Sequence, residues 1–233
     1  FSPGDALLML ESGYFSEAWS AMARAFGLEV RTVAADWRRG ADLADVTAAL
    51  GKDARHTIRA VCAVHNETST GVTLPLALLR AAIDAAGHPA LLLTDTISSL
   101  ASLDFRMDEW GVDAAVGASQ KGLMLPTGFS FTAVSPRAAE AHAQARLPRR
   151  YFDWSAMRER SHQSFMGTVP TNLFFGLQES LRLLDEEGLE NVIARHARLA
   201  EAVRRCVRAW QGNDGPQIFC ADPARFSDSV TSV

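Results

Sequence analysis

Lysine is almost absent from this chain. Among 23 lysines and arginines in 233 residues, only Lys52 and Lys121 are lysine. A position that needs nothing but positive charge is, by this chain's habit, an arginine. Cysteine is scarce too. Cys62, Cys206 and Cys220 are odd in number and far apart, which excludes a disulfide framework and paired metal-ligand spacing; they read as reduced thiols of a cytoplasmic protein. No apolar run approaches the roughly 18–20 residues of a membrane span. The net charge of −4 with no basic stripe argues against a nucleic-acid partner. The start, Phe1-Ser-Pro-Gly-Asp5, has neither a basic segment nor an apolar one, so no signal peptide is visible. No GxGxxG or phosphate-loop motif is present, which removes the simplest nucleotide-binding readings.

The chain that remains is 48% hydrophobic and 21% charged, values of an ordinary globular protein with one sizeable core. Short apolar runs alternate with helical patterns. Strands are predicted at Ala6–Leu10, Leu28–Val33, Ile58–Val64, Ala90–Thr94, Val112–Val116 and Phe129–Val134. Helices are predicted at Phe15–Phe26, Asp42–Leu50 and Leu74–Ala86. Runs apolar on both faces suit strands covered by helices on each side, and the alternation predicts an α/β, doubly wound, mainly parallel sheet. Phe129–Val134 follows the preceding strand after only a loop, so that strand is expected to run antiparallel. Beyond Pro136 longer helices take over, at Leu173–Glu186 and Leu189–Trp210. Further strands are expected near Gln217–Cys220 and beginning at Ser229–Val233. The expected division is a large domain over 1–170, a helical link over 171–210 and the start of a small α/β domain over 211–233. The chain reads as a piece of a longer one.

Lys121 closes the small-residue turn Gly117-Ala-Ser-Gln-Lys121 after one buried run, and Asp95 ends another. A primary amine can condense with a carbonyl cofactor; a guanidinium cannot. In open α/β sheets ligands bind at the carboxyl ends of strands. Three polar segments are expected there: His65-Asn-Glu-Thr-Ser-Thr-Gly71, Asp95-Thr-Ile-Ser-Ser99 and Ser119-Gln-Lys121. An amine, an isolated carboxylate and several hydroxyl donors match what pyridoxal 5'-phosphate requires. Taken singly, each has a plainer reading. Lys121 could be a solvated charge, Asp95 a helix cap, Ser69 and Thr70 loop-capping hydroxyls, and Phe15 the first core residue of its helix. His65 could simply hydrogen-bond a turn.

In order along the chain, His65-Asn-Glu-Thr-Ser-Thr-Gly71, Asp95-Thr-Ile-Ser-Ser-Leu100, Gly117-Ala-Ser-Gln-Lys-Gly-Leu-Met-Leu-Pro-Thr-Gly128 and Thr168-Val-Pro-Thr171 resemble class V aminotransferases. The serine–glyoxylate and alanine–glyoxylate group is the nearest, with fold type I. The resemblance implies transamination between a small amino acid, serine or alanine, and glyoxylate or another small 2-oxo acid, in a homodimer using pyridoxal 5'-phosphate. It implies that Lys121 binds the cofactor aldehyde and shuttles the proton. Asp95 would pair with the pyridinium nitrogen. Ile97 would pack on one ring face and Phe15 on the other. Ser69 or Thr68 would donate to the phenolate oxygen, Gln120 would reach the phosphate, and Thr168 would reach the phosphate in the partner subunit. By the same resemblance a glycine-rich phosphate cradle would precede Phe1, and a carboxylate-gripping arginine would follow Val233. Where relatives often carry a tyrosine before the Thr168 position, this chain has Phe165-Met-Gly167.

Two alternatives stay open at this level. A cysteine desulfurase or related lyase of the same fold would usually place a histidine where Gln120 stands and would need a mobile cysteine. A non-catalytic scaffold serving protein association would not need Lys121 and Asp95.

Overall fold

The chain's fold is known from a computed structural model, which describes residues 1–160 and 166–233. The departure noted at Phe165 therefore falls outside the described residues. The elements run β1 (Ala6–Leu10), α1 (Tyr14–Ala25), β2 (Glu29–Val33), α2 (Leu43–Gly51), β3 (Ile58–Val64), β4 (Asn66–Glu67), β5 (Val72–Thr73), α3 (Leu76–Ala85), β6 (Leu91–Asp95), β7 (Ala114–Ala118), β8 (Ser130–Val134), α4 (Pro136–Gln144), α5 (Trp154–Arg160), α6 (Thr171–Glu187) and α7 (Leu189–Trp210). The main sheet has the order β2-β1-β3-β6-β7-β8. Every neighbouring pair is parallel except β7–β8, where Ala114 faces Val134 and Ala118 faces Ser130 in an antiparallel ladder. The loop between those two strands is too short for a parallel crossover, so the reversal is forced.

Both faces of the sheet are apolar for a reason visible in the strands. Leu8, Leu10, Val61 and Leu92 point to one side, where Val46 and Leu50 of α2 and Leu76, Leu79 and Ile83 of α3 cover them. Leu7, Met9, Ala60 and Cys62 point to the other, under Trp19 and Ala23 of α1. This is the doubly wound arrangement expected from unbroken apolar runs. Cys62 is fully buried, and burial pushes its thiol pKa up, so it acts as a small apolar residue. All three cysteines are free.

Local chemistry sets the helix starts. Asp42 accepts from the Ala44 amide (2.9 Å) to open α2, and Ser135 accepts from the Ala138 amide (3.1 Å) ahead of Pro136 in α4. Strand β7 starts later than expected, at Ala114 rather than Val112, because the Val112 amide closes a turn onto the Met107 carbonyl (3.0 Å). Two expectations fail near the end of the chain. Neither Gln217–Cys220 nor Ser229–Val233 forms a strand. The two stretches meet through a single bond, from the Phe219 amide to the Ser232 carbonyl (2.8 Å), while Ala221 turns to the Arg38 carbonyl (2.7 Å). One bond is not a ladder. Among the described residues no helix is long and apolar enough to cross a membrane.

At the sheet edge opposite the strands' carboxyl ends, Asp53 is buried and accepts from Thr57 Oγ1 (2.7 Å) and the Ile58 amide (2.6 Å), with Arg31 and His88 each 3.4 Å away. Burial alone would raise its pKa, but these donors outweigh burial and hold the carboxyl well below the usual carboxylate range. A depressed folded-state pKa stabilises above the unfolded value of about 4 and is lost as pH falls below it. Melting temperature is therefore expected to fall steeply between about pH 4 and pH 2, and Asp53→Asn should be less stable at pH 7 but show a flatter acid limb. Thermal denaturation against pH checks both slopes.

Candidate active site

Four neighbouring strands deliver the chemistry to one edge. At or past the carboxyl ends of β1, β3, β6 and β7, which are adjacent in the sheet, come Phe15, then Thr68 and Ser69, then Asp95 as the last residue of β6, then Lys121. The first change of direction in strand order falls between β1 and β3, and ligands of open α/β sheets collect at such a point.

The loops after β6 and β7 are locked together. Thr96 donates both its amide and its hydroxyl to the Val116 carbonyl (2.9 Å each). Ser119, fully buried, donates to the Pro126 carbonyl (2.8 Å) and accepts from the Phe129 amide (3.2 Å), which folds the segment carrying Lys121 into a compact turn. Gly122 faces the Leu100–Ser102 backbone so closely that a Cβ would collide with the Leu100 carbonyl oxygen and lie 2.6 Å from Ser102 Oγ. Only glycine fits without moving the Lys121 loop. Gly122→Ala is expected to cost about 1–3 kcal/mol of stability through overpacking, readable as a lowered urea midpoint at unchanged slope.

Lys121 is exposed on a cavity of about 380 Å³, shared with Thr68, Ser98, Ser102, His196 and Ser229. That volume suits a small-molecule ligand. Among the described residues the Lys121 ammonium has no ion-pair partner. His196 comes from α7, and its Nδ1 lies 2.8 Å from the Val192 carbonyl, which makes Nδ1 the donor in that bond.

Asp95 is partly buried. One oxygen accepts from the Ile97 amide (2.8 Å); the other has no donor among the described residues. Burial raises its pKa, the Ile97 bond opposes that, and the neighbouring Glu67 raises it further. A carboxyl in this state lacks a cation, and a protonated ring nitrogen would supply one.

The remaining candidates separate. Thr68 lines the cavity with Lys121. Ser69 instead spends its hydroxyl proton on Glu67 Oε1 (2.7 Å) and accepts from the Tyr14 amide (3.0 Å). Phe15 lies in the first turn of α1, 43% exposed, so it is not a core residue, and Ile97 is partly buried. Gln120 and Thr168 are both exposed, and of the predicted site residues only Thr68 and Lys121 line the cavity; Asp95, Ile97, Phe15, Ser69, Gln120 and Thr168 do not. His65 is buried against Phe105 and Trp110, with Nδ1 2.9 Å from Ser99 Oγ. Burial pushes its pKa down to about 4, with Asp104 opposing. It is a neutral packing residue at physiological pH.

Sequence reasoning did not single out Glu67, Ser98, Ser102 or His196. The signal for Glu67 was a carboxylate lodged between polar residues three positions after a mostly apolar strand. For His196, on a helix more than 70 residues beyond Lys121, the sequence holds no comparable signal.

The Aminotransferase class-V profile matches residues 1–233. The L-aspartate–glyoxylate aminotransferase of Paracoccus denitrificans is 46% identical over 100% of this chain and 58% of its own length. The serine–glyoxylate aminotransferase of Methylorubrum extorquens is 45% identical over 99% of this chain and 58% of its own length. The chain thus spans somewhat over half the length of these curated relatives. Among solved structures, an alanine–glyoxylate aminotransferase from Nostoc superposes with a TM-score of 0.83 at 32% identity, covering 91% of this chain and 56% of that one.

Proposed function

Because this chain belongs to the class V aminotransferases, we propose that the protein of which it is part transfers an amino group from a small amino acid, serine or alanine, to glyoxylate or a similar small 2-oxo acid. The observation that carries this reading is the delivery of Phe15, Thr68, Asp95 and Lys121 by four adjacent strands to one sheet edge. The names of the relatives, which act on glyoxylate with serine or aspartate, support the substrate class.

The family's cofactor is pyridoxal 5'-phosphate, and the residues present fit it: an unpaired primary amine, a carboxyl lacking a cation, and a free hydroxyl in the amine's cavity. When bound, that group supplies the electron sink that acidifies the substrate's α-carbon. The chain's residues do the rest. Lys121 Nζ would hold the cofactor through its aldehyde and would carry the proton to and from the α-carbon. Asp95 would stabilise positive charge on the ring nitrogen. Thr68, whose hydroxyl proton is not committed elsewhere among the described residues, donates to the phenolate oxygen, since Ser69 gives its own to Glu67. Phe15 and Ile97 would pack against the ring. Gln120 would serve the phosphate from outside the Lys121 cavity, and Thr168 would serve that of a partner subunit in a homodimer. The exposed Phe175, at 74%, is consistent with such an interface on α6. A cytoplasmic location and the division at about residues 170 and 210 belong to the same reading.

The test is a donor–acceptor panel on the full-length protein with added cofactor. Serine or alanine with glyoxylate should give glycine and the matching 2-oxo acid. A protein that stays colourless and inactive with every pair overturns the proposal.

A further inference from the structure

Glu67 has no assigned part in the chemistry, yet it is fully buried beside the site. Its carboxylate accepts three hydrogen bonds: from the Phe15 amide (3.1 Å), the Ser69 amide (3.1 Å) and Ser69 Oγ (2.7 Å). Ser69 Oγ in turn accepts from the Tyr14 amide (3.0 Å). The first two amides of α1 would otherwise lack partners. They are capped by Glu67, at the end of β4, and Ser69, in the turn to β5, more than 50 residues further along the chain. Gly13 completes the contact. A Cβ there would lie 2.7 Å from Glu67 Cγ and would strike Ser69 Oγ, so the backbone closes directly over the carboxylate. Negative charge at a helix N-terminus is favourable, and here the charge is buried and fully hydrogen-bonded.

The consequence is mechanical. Phe15 sits on one side of this junction and Thr68 on the other, next to Glu67 in the chain. Neither can shift independently while the carboxylate holds both the Phe15 amide and the Ser69 amide. We propose that Glu67 is a positioning residue of the cofactor site, clamping the first turn of α1 to the β4–β5 connection so that Phe15 and Thr68 are presented in one fixed register. Its charge also bears on Asp95, whose pKa it raises. This inference rests on the reading of the site as a pyridoxal-phosphate site.

The decisive variant is Glu67→Gln in the full-length protein. It keeps the volume but offers one acceptor and an amide that cannot accept. Three measurements read it. In the cofactor-free protein, hydrogen exchange at the Tyr14 and Phe15 amides should accelerate while the β3 amides stay protected. The Asp95 carboxyl, followed by carbon NMR, should titrate at lower pH once the neighbouring charge is gone. The dissociation constant for pyridoxal 5'-phosphate, from absorbance titration, should rise about 10-fold or more, the scale of a lost charged hydrogen bond. Ser69→Ala, which removes one of the three donors and the Tyr14 acceptor, should weaken binding by a smaller factor, and it carries the test if Glu67→Gln does not fold. Faster exchange with a cofactor affinity within twofold of the parent overturns the clamp's role, as does unchanged exchange. A parent protein that binds no cofactor would instead overturn the functional reading itself, so the two failures are separable.

Discussion

Lys121→Ala is expected to abolish both the visible absorption of the protein with cofactor and its transamination, with turnover falling by roughly 10⁴-fold, the upper range for a positioned proton-transfer group. Lys121→Arg is the sharper form of the same experiment. It keeps the charge at a position where this chain uses one of only two lysines, yet a guanidinium with a pKa above about 12 cannot condense with an aldehyde. If charge were all the position supplied, the arginine variant would behave like the parent. A retained visible band in Lys121→Arg would refute the assignment. Folding should survive both changes, since Lys121 is exposed and, among the described residues, unpaired; melting curves within a few degrees of the parent confirm that the loss is chemical.

Asp95→Asn is expected to move rate and stability in opposite directions. With cofactor, losing the negative charge beside the ring nitrogen should slow α-proton removal by about 10²–10³-fold, the effect of deleting one preorganised electrostatic partner. Without cofactor, the native carboxyl is a liability. Burial, partly offset by the Ile97 amide, and Glu67 raise its pKa, so the folded chain holds that proton more tightly than the unfolded one. Stability of the cofactor-free protein therefore declines as pH rises from about 4 through the raised value. Asn carries no charge, so the variant should melt higher than the parent at pH 7 when both are empty. Single-turnover rates and paired thermal scans check the two halves. An unchanged half-reaction rate removes Asp95 from the chemistry whatever the scans show.

The central strands were legible because they are mostly apolar on both faces. Ala6–Leu10 and Ile58–Val64 begin and end where composition alone puts them. The β4–β5 hairpin was not, because two-residue polar strands such as Asn66–Glu67 carry no periodicity to read. The terminal strands failed for a related reason. Short apolar stretches such as Gln217–Cys220 look like strands in isolation, and only the presence of a pairing partner decides. In the site, Lys121 stood out by its rarity and Asp95 by its place at the end of a buried run. Which hydroxyl is free, Thr68 or Ser69, could not be read from adjacent residues of the same chemical type. It depends on where a carboxylate two positions away points its oxygens.

The remote capping of α1 also bears on how the molecule reaches its native state. A helix whose first two amides wait for side chains 52 and 55 residues away cannot finish its opening turn from local sequence. The length-dependent entropy of closing such a loop is about 3.5 kcal/mol, so this turn should order late, after β1 and β3 have paired. A nascent or partly unfolded chain would then present an incomplete pocket, with Phe15 not yet held against the β4–β5 turn.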